Sequence, residues 1–203
     1  MIYFSISYKR YVIVFSYLKG DRYYMMTEKE YVEFLIRAKE ITKEVAQFYG
    51  INSANDLDIT FVHGGTRYSS VQASYSAMHN NIAFYIPENK IIDLNDEIGQ
   101  ELFVFIIFHE FRHYTQNQYL RTKYGDDMYE DILAAQMSAS TLNSSNIMEE
   151  DADKASEYLT ENFMKMKRGE TYDTEVQNIE EVLTPEVILE TIKNYYNAKS
   201  EAK

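Results

Sequence analysis

The chain has no cysteine, which removes a disulfide framework, a thiolate nucleophile and a cysteine-ligated structural zinc in one step. A bound metal must therefore use imidazole and carboxylate donors, and histidine itself is scarce at four residues. Basic charge is also short. Against 32 acidic residues stand 20 basic ones, a formal net charge of -12 that repels a phosphate backbone and argues against nucleic acid as a direct partner. An acidic surface attracts cationic peptides or proteins, although it also serves solubility alone. The apolar stretch Tyr11 to Leu18 is too short to span a bilayer, so no stable membrane insertion is expected. Freedom from cysteine suits a reducing compartment and favours the cytoplasm over export.

With 203 residues, 45% of them hydrophobic, the chain can bury a sizeable core, and its length predicts one domain over 1–203 with a single active site. Residues 1–24 read best as a β-hairpin, with Ile2, Phe4 and Ile6 alternating before Lys9-Arg10 and Val12 to Leu18 returning. The same basic pair ahead of an apolar stretch loosely resembles a secretory signal, but no small-residue cleavage site follows. A start of translation at Met25 or Met26 would make this segment a dispensable extension.

Thr27-Glu28-Lys29-Glu30 has the form of a capping box, and Tyr31, Phe34, Leu35, Ala38, Ile41, Val45 and Phe48 then recur at helical spacing towards Gly50. Between residues 57 and 86 the period changes. Leu57, Ile59 and Phe61 alternate, His63-Gly64-Gly65 reads as a turn, and Ile82, Phe84 and Ile86 alternate again before Pro87, which predicts a small sheet. Asn95 or Asp96 can cap the next helix, in which Leu102 to Phe108 is apolar on every side, as in a helix buried mid-domain. Further helices are expected over Asp126 to Leu142, with Met128, Ile132, Ala135 and Ala139 as its buried stripe, and from Ile147 towards Lys167. The acidic stretch Glu170 to Glu181 reads as a loop. Pro185 then opens a last helix burying Ile188, Leu189 and Ile192.

At the end of the apolar helical half lies His109-Glu110-Phe111-Arg112-His113. Residues four apart on a helix project about 40° from each other, so His109 and His113 can share one cation. Zinc accepts neutral imidazole, the main form of an unperturbed histidine near neutrality. Glu110 follows the first ligand directly, so its carboxylate flanks the metal, where a base must sit to take a proton from a water beside it. At ordinary residue frequencies the pattern arises by chance in such a chain on the order of half a per cent of the time. The competing reading is a buried helix whose histidines only cap its polar end.

This segment resembles the active-site helix of the zincin metallopeptidases, which lies beneath a small sheet, and the likeness runs from about Ser74 to Ala155. The metzincin pattern would place Gly at 116 and His at 119, where this chain has Gln116 and Tyr119. Glu149-Glu150-Asp151-Ala152-Asp153 instead looks like the later helix of the gluzincins. That resemblance implies Glu149 as the third zinc ligand, Ala152 as the small residue allowing close helix approach, and Asp153 as hydrogen-bond acceptor for a ligand imidazole. Glu150 is the alternative ligand, and a plain capping role for Glu149 is the bland one, since Asn146 stands three residues earlier.

The resemblance implies an α+β, zincin-like fold, with a small, mostly antiparallel sheet packed on a buried active-site helix and a helical C-terminal half. It implies a zinc metalloendopeptidase acting on a peptide or protein substrate, with Asn81 to Ile86 as the strand that holds it. Candidate oxyanion donors are Tyr75, Arg112, Gln116, Tyr124 and Tyr129. Gln116 projects within about 20° of His109, which makes it, with Arg112, a candidate cleft residue. His63 and His79 fall in turn-rich segments and read as surface residues. The alternative function is a non-catalytic zincin-fold binding or regulatory protein, for which the tyrosines and the acidic loop would be an interaction surface.

Overall fold

The fold was analysed in a computed structural model that describes residues 25–51, 57–65, 71–88, 92–141 and 146–201. Residues 1–24, on which the hairpin, signal and extension readings fall, lie outside the described residues.

Helix α1 (Glu28–Tyr49) begins as its sequence dictates. The Thr27 hydroxyl accepts from the Glu30 amide at 3.3 Å while the Glu30 carboxylate accepts from the Thr27 amide at 2.8 Å, closing the capping box. Gly50 ends the helix at φ 81, a left-handed conformation that glycine adopts without a Cβ penalty. Of the predicted stripe, Ala38, Ile41 and Val45 are fully buried.

Strands β1 (Asp58–Gly65), β2 (Gln72–Ser76) and β3 (Asn81–Pro87) form one sheet in the order β1-β3-β2. β2 and β3 make an antiparallel pair through the Ala77–Asn80 turn, whereas β1 runs parallel to β3. The sheet is therefore mixed, which corrects the mostly antiparallel expectation. β2 reverses into β3 and leaves room for β3 to insert beside β1, an order that side-chain alternation alone does not specify. His63-Gly64-Gly65 is no turn either. It continues β1, with a register shift between His63 and Gly65. Ile82, Phe84 and Ile86 alternate into the core as their pattern requires.

Helix α2 (Glu97–Thr141) is capped by Asp96, whose carboxylate accepts from the Gly99 amide at 2.7 Å, and it is interrupted at Gly125 by non-helical angles of φ 77 and ψ 167. Its first half is buried nearly all round: Phe103, Val104, Phe105, Ile107, Phe108 and Phe111 are at most 2% exposed. The second half buries Tyr129, Ile132 and Ala135, while Met128, expected in that stripe, is 43% exposed. Helix α3 (Ile147–Lys167) packs along α2 and is followed by an irregular stretch, the short α4 (Ile179–Val182) and α5 (Pro185–Glu201). On α5, Ile188 is buried but Leu189 turns outward.

Two apolar clusters result. The larger joins α1, the sheet, the first half of α2 and the distal part of α3, and Phe48, Phe108 and Phe163 meet there with centroids 5.4 to 6.0 Å apart. The smaller joins Leu120, Tyr129 and Ile132 to Met148, Leu183 and Ile188. The histidines lie on α2 between the two. Among the described residues no helix is long and apolar enough to cross a membrane.

Candidate metal centre

The end of the apolar half of α2 carries His109, Glu110 and His113, and the first turns of α3 carry Glu149 and Asp153. Asn146 sets the phase of α3. Its side-chain oxygen accepts from the amides of Met148 at 3.1 Å and Glu149 at 3.4 Å. The Glu149 carboxylate faces the imidazoles, with Oε2 3.4 Å from His109 Nε2 and Oε1 3.2 Å from His113 Nε2. The two Nε2 atoms are 3.0 Å apart. Glu150 is exposed and stands outside this group.

These separations test whether the residues fit a metal. Tetrahedral zinc with ligands at about 2.0 to 2.1 Å holds its ligand atoms about 3.3 Å from each other. The two nitrogens stand 3.0 Å apart and each Glu149 oxygen lies 3.2 or 3.4 Å from a different one of them, close to that value, so the group could hold one small cation. Two nitrogens and one carboxylate oxygen, with no thiolate, also suit zinc chemically.

Burial and charge agree with the geometry. His109, Glu110 and His113 are 1%, 3% and 8% exposed, whereas the side chains of Glu149 and Asp153 keep 25% and 36%, so solvent reaches the centre from the α3 side. Burial pulls the His109 imidazolium down, but the Asp153, Glu149 and Glu110 carboxylates outweigh it and push the group up to about 10. Burial acts upward on Glu149 too, yet its bonds to His109 and His113 hold it well below the usual carboxylate range. For Glu110 burial wins and the carboxyl is raised, against the pull of both histidines, with the main-chain amide of Tyr75 on β2 donating to it.

The outer contacts differ for the two imidazoles. Asp153 Oδ1 lies 3.1 Å from His109 Nδ1, near the position its sequence predicts, but off hydrogen-bond alignment, so the contact is electrostatic. His113 Nδ1 instead meets Gln116 Oε1 at 2.9 Å. Gln116 is 0% exposed and its amide nitrogen donates to Asp151 Oδ2 at 2.7 Å and to the Met148 carbonyl at 2.9 Å. Asp151 in turn accepts a bidentate pair from Arg112 at 2.7 and 2.8 Å, and Arg112 also donates to the Gln177 carbonyl at 2.9 Å.

Gln116 and Arg112 are thus buried behind His113 and do not line a cleft. Sequence reasoning missed Asp151 altogether. The available signal was Arg112 itself, because a guanidinium on so apolar a helix needs a buried carboxylate partner. Of the other candidate oxyanion donors, the Tyr75 hydroxyl donates to Asn80 at 2.9 Å, Tyr129 donates to Asn117, and Tyr124 packs in the smaller cluster. His63 and His79 are exposed, as expected. The proposed substrate strand is corrected as well. Asn81 to Ile86 is the central strand, its backbone paired on both sides, and among the described residues β2 is paired on one side only.

Comparison of the chain with protein-family models, with curated proteins and with solved structures finds no match in any of the three.

Proposed function

We propose that this chain is a zinc-dependent metallopeptidase of the gluzincin type, with zinc held by His109, His113 and Glu149 and with Glu110 as catalytic base. The observation that carries the reading is the convergence of two Nε2 atoms and one carboxylate at 3.0 to 3.4 Å with a second, buried carboxylate, Glu110, beside them. Three protein donors leave a coordination position open, as in catalytic rather than structural zinc sites. A structural site has no use for Glu110, whose burial is costly unless its proton affinity serves a purpose.

When bound, zinc supplies Lewis acidity to the scissile carbonyl and to the attacking water. Glu110 takes the proton from that water and delivers it to the departing amine. Burial raises its proton affinity in the metal-free protein, which favours the step in which it acts as base. Glu149 offsets part of the cation's charge while leaving Glu110 free to exchange its proton. The Tyr75 amide on β2, which among the described residues pairs on one side only, reaches Glu110, which favours β2 as the strand along which an extended peptide pairs. The net charge of -12 favours cationic substrates, and a cysteine-free chain favours a cytoplasmic setting.

The test is bound zinc, measured by elemental mass spectrometry after dialysis against metal-free buffer, in wild type, Glu149→Ala and Glu150→Ala. One zinc per chain, lost only with Glu149→Ala, supports the ligand set. Peptide cleavage that disappears in zinc-loaded Glu110→Gln supports the base. No zinc in the wild type, even after adding it back, would sink the metallopeptidase reading, and a zinc-loaded protein inert on a broad peptide library would favour a binding protein instead.

A further inference from the structure

The side chains behind His113 do more than fill space. Gln116 is fully buried and both ends of its amide are committed: Nε2 donates to Asp151 Oδ2 at 2.7 Å and to the Met148 carbonyl at 2.9 Å, and Oε1 faces His113 Nδ1 at 2.9 Å. The opposite orientation would set the amide oxygen against a carboxylate and a carbonyl, three acceptors with no hydrogen between them. Asp151 cannot turn away, because the Arg112 fork holds both its oxygens at 2.7 and 2.8 Å. Arg112 is anchored by the Gln177 carbonyl at 2.9 Å.

We infer that Gln116, oriented by the Arg112–Asp151 pair, is a positioning residue that fixes the proton of His113 on Nδ1 and so presents its Nε2 lone pair to the centre formed with His109 and Glu149. The two ligand imidazoles are then oriented by different means. His109 faces the partly exposed Asp153 across 3.1 Å, whereas His113 is locked from the interior by a neutral amide. A neutral acceptor adds no charge to a site that already holds Glu110, Glu149 and Asp153, and it gives His113 one tautomer. The lock also spans helices, since Gln116 and Arg112 lie on α2 while Asp151 and the Met148 carbonyl lie on α3. The distance between the helices and the direction of the His113 ring are thereby set by the same bonds.

This inference rests on the proposed metal centre, and zinc affinity separates the two. The dissociation constant for zinc would be measured by chelator competition in full-length wild type, Gln116→Met and Gln116→Glu, alongside thermal melting of each zinc-free protein. Gln116→Met removes the acceptor facing Nδ1, and its expected loss of zinc affinity is about 10- to 100-fold. Gln116→Glu keeps an acceptor there but sets a carboxylate against Asp151. It is expected to melt lower when zinc-free, yet to bind zinc more tightly than Gln116→Met. A residue that only packs predicts the reverse order, with affinity following melting temperature. Wild-type affinity in Gln116→Met, or a weaker affinity in Gln116→Glu than in Gln116→Met, overturns the positioning role while leaving the metal centre standing. Absence of zinc binding by the wild type overturns both.

Discussion

Asp151→Ala removes the carboxylate at the centre of the interior network, and the structure says what is stranded. Arg112, 4% exposed, loses both bonds of its fork and keeps the Gln177 carbonyl; Gln116 loses its shorter donor contact. Breaking a buried ion pair by deleting one partner costs about 3–5 kcal/mol, because a charge is left in the interior without compensation. For a chain of this size each kcal/mol lowers the melting temperature by about 2–4 °C, so a drop of roughly 6–20 °C is expected. Urea unfolding of the zinc-free protein, followed by circular dichroism, measures the energy directly. The double variant Arg112→Met/Asp151→Leu supplies the control. It removes both charges together and frees the carbonyl of exposed Gln177 to water, so the remaining cost should be the orphaned Gln116 donor, about 1–3 kcal/mol. A single variant losing under about 1 kcal/mol, or a double variant no better than the single, would refute an ion pair between α2 and α3 that is buried in solution.

Three other outcomes follow from separate features. Zinc requires neutral His109, and the three carboxylates push that imidazole up to about 10 in the metal-free protein, so binding must expel its proton; the affinity should strengthen up to about tenfold per pH unit from pH 6 to 8, and a pH-independent dissociation constant would contradict it. In the zinc-free protein the raised His109 and lowered Glu149 are two views of one ion pair. Its stability gain should build as pH rises towards the ordinary Glu value of 4.5, be whole between there and the ordinary His value of 6.5, and fade as pH climbs towards about 10, a window that urea unfolding across pH would reveal or exclude. Gly99→Ala adds a Cβ that would collide with the Asp93 carbonyl oxygen, so overpacking of about 1–3 kcal/mol should outweigh the gain of up to about 1 kcal/mol in helix preference, and a more stable alanine variant would disprove that close approach.

Local chemistry was legible wherever a few neighbouring residues decide the outcome. The Thr27–Glu30 box, the left-handed Gly50 and the Asp96 cap each rest on contacts within four residues. The alternation of Ile82, Phe84 and Ile86 correctly identified which face turns inward. It could not say that β3 lies between β1 and β2, because every order of three strands buries the same alternating face. Helical stripes failed in a related way. Exposure of Met128 and Leu189 reflects which side of each helix finds a neighbour, and tyrosine at 129 takes the core position that hydropathy assigned to 128.

At the centre, the same division falls between donors and the groups that orient them. His109 and His113 share a face because of helical periodicity alone, and the preference for Glu149 over Glu150 follows from the phase that Asn146 sets at the start of α3. Gln116 was misplaced for a physical reason: a wheel projection gives direction and discards height. Seven residues carry it about 10 Å along the axis from His109, beyond the open side and into the zone where Met148 and Asp151 of α3 press on α2. There the amide can satisfy its two hydrogens only on α3 and its oxygen only on His113. The interior therefore selects glutamine at that height for its combination of donor and acceptor. Reading that choice requires knowing that α3 lies over the helix, a fact no pattern within α2 contains.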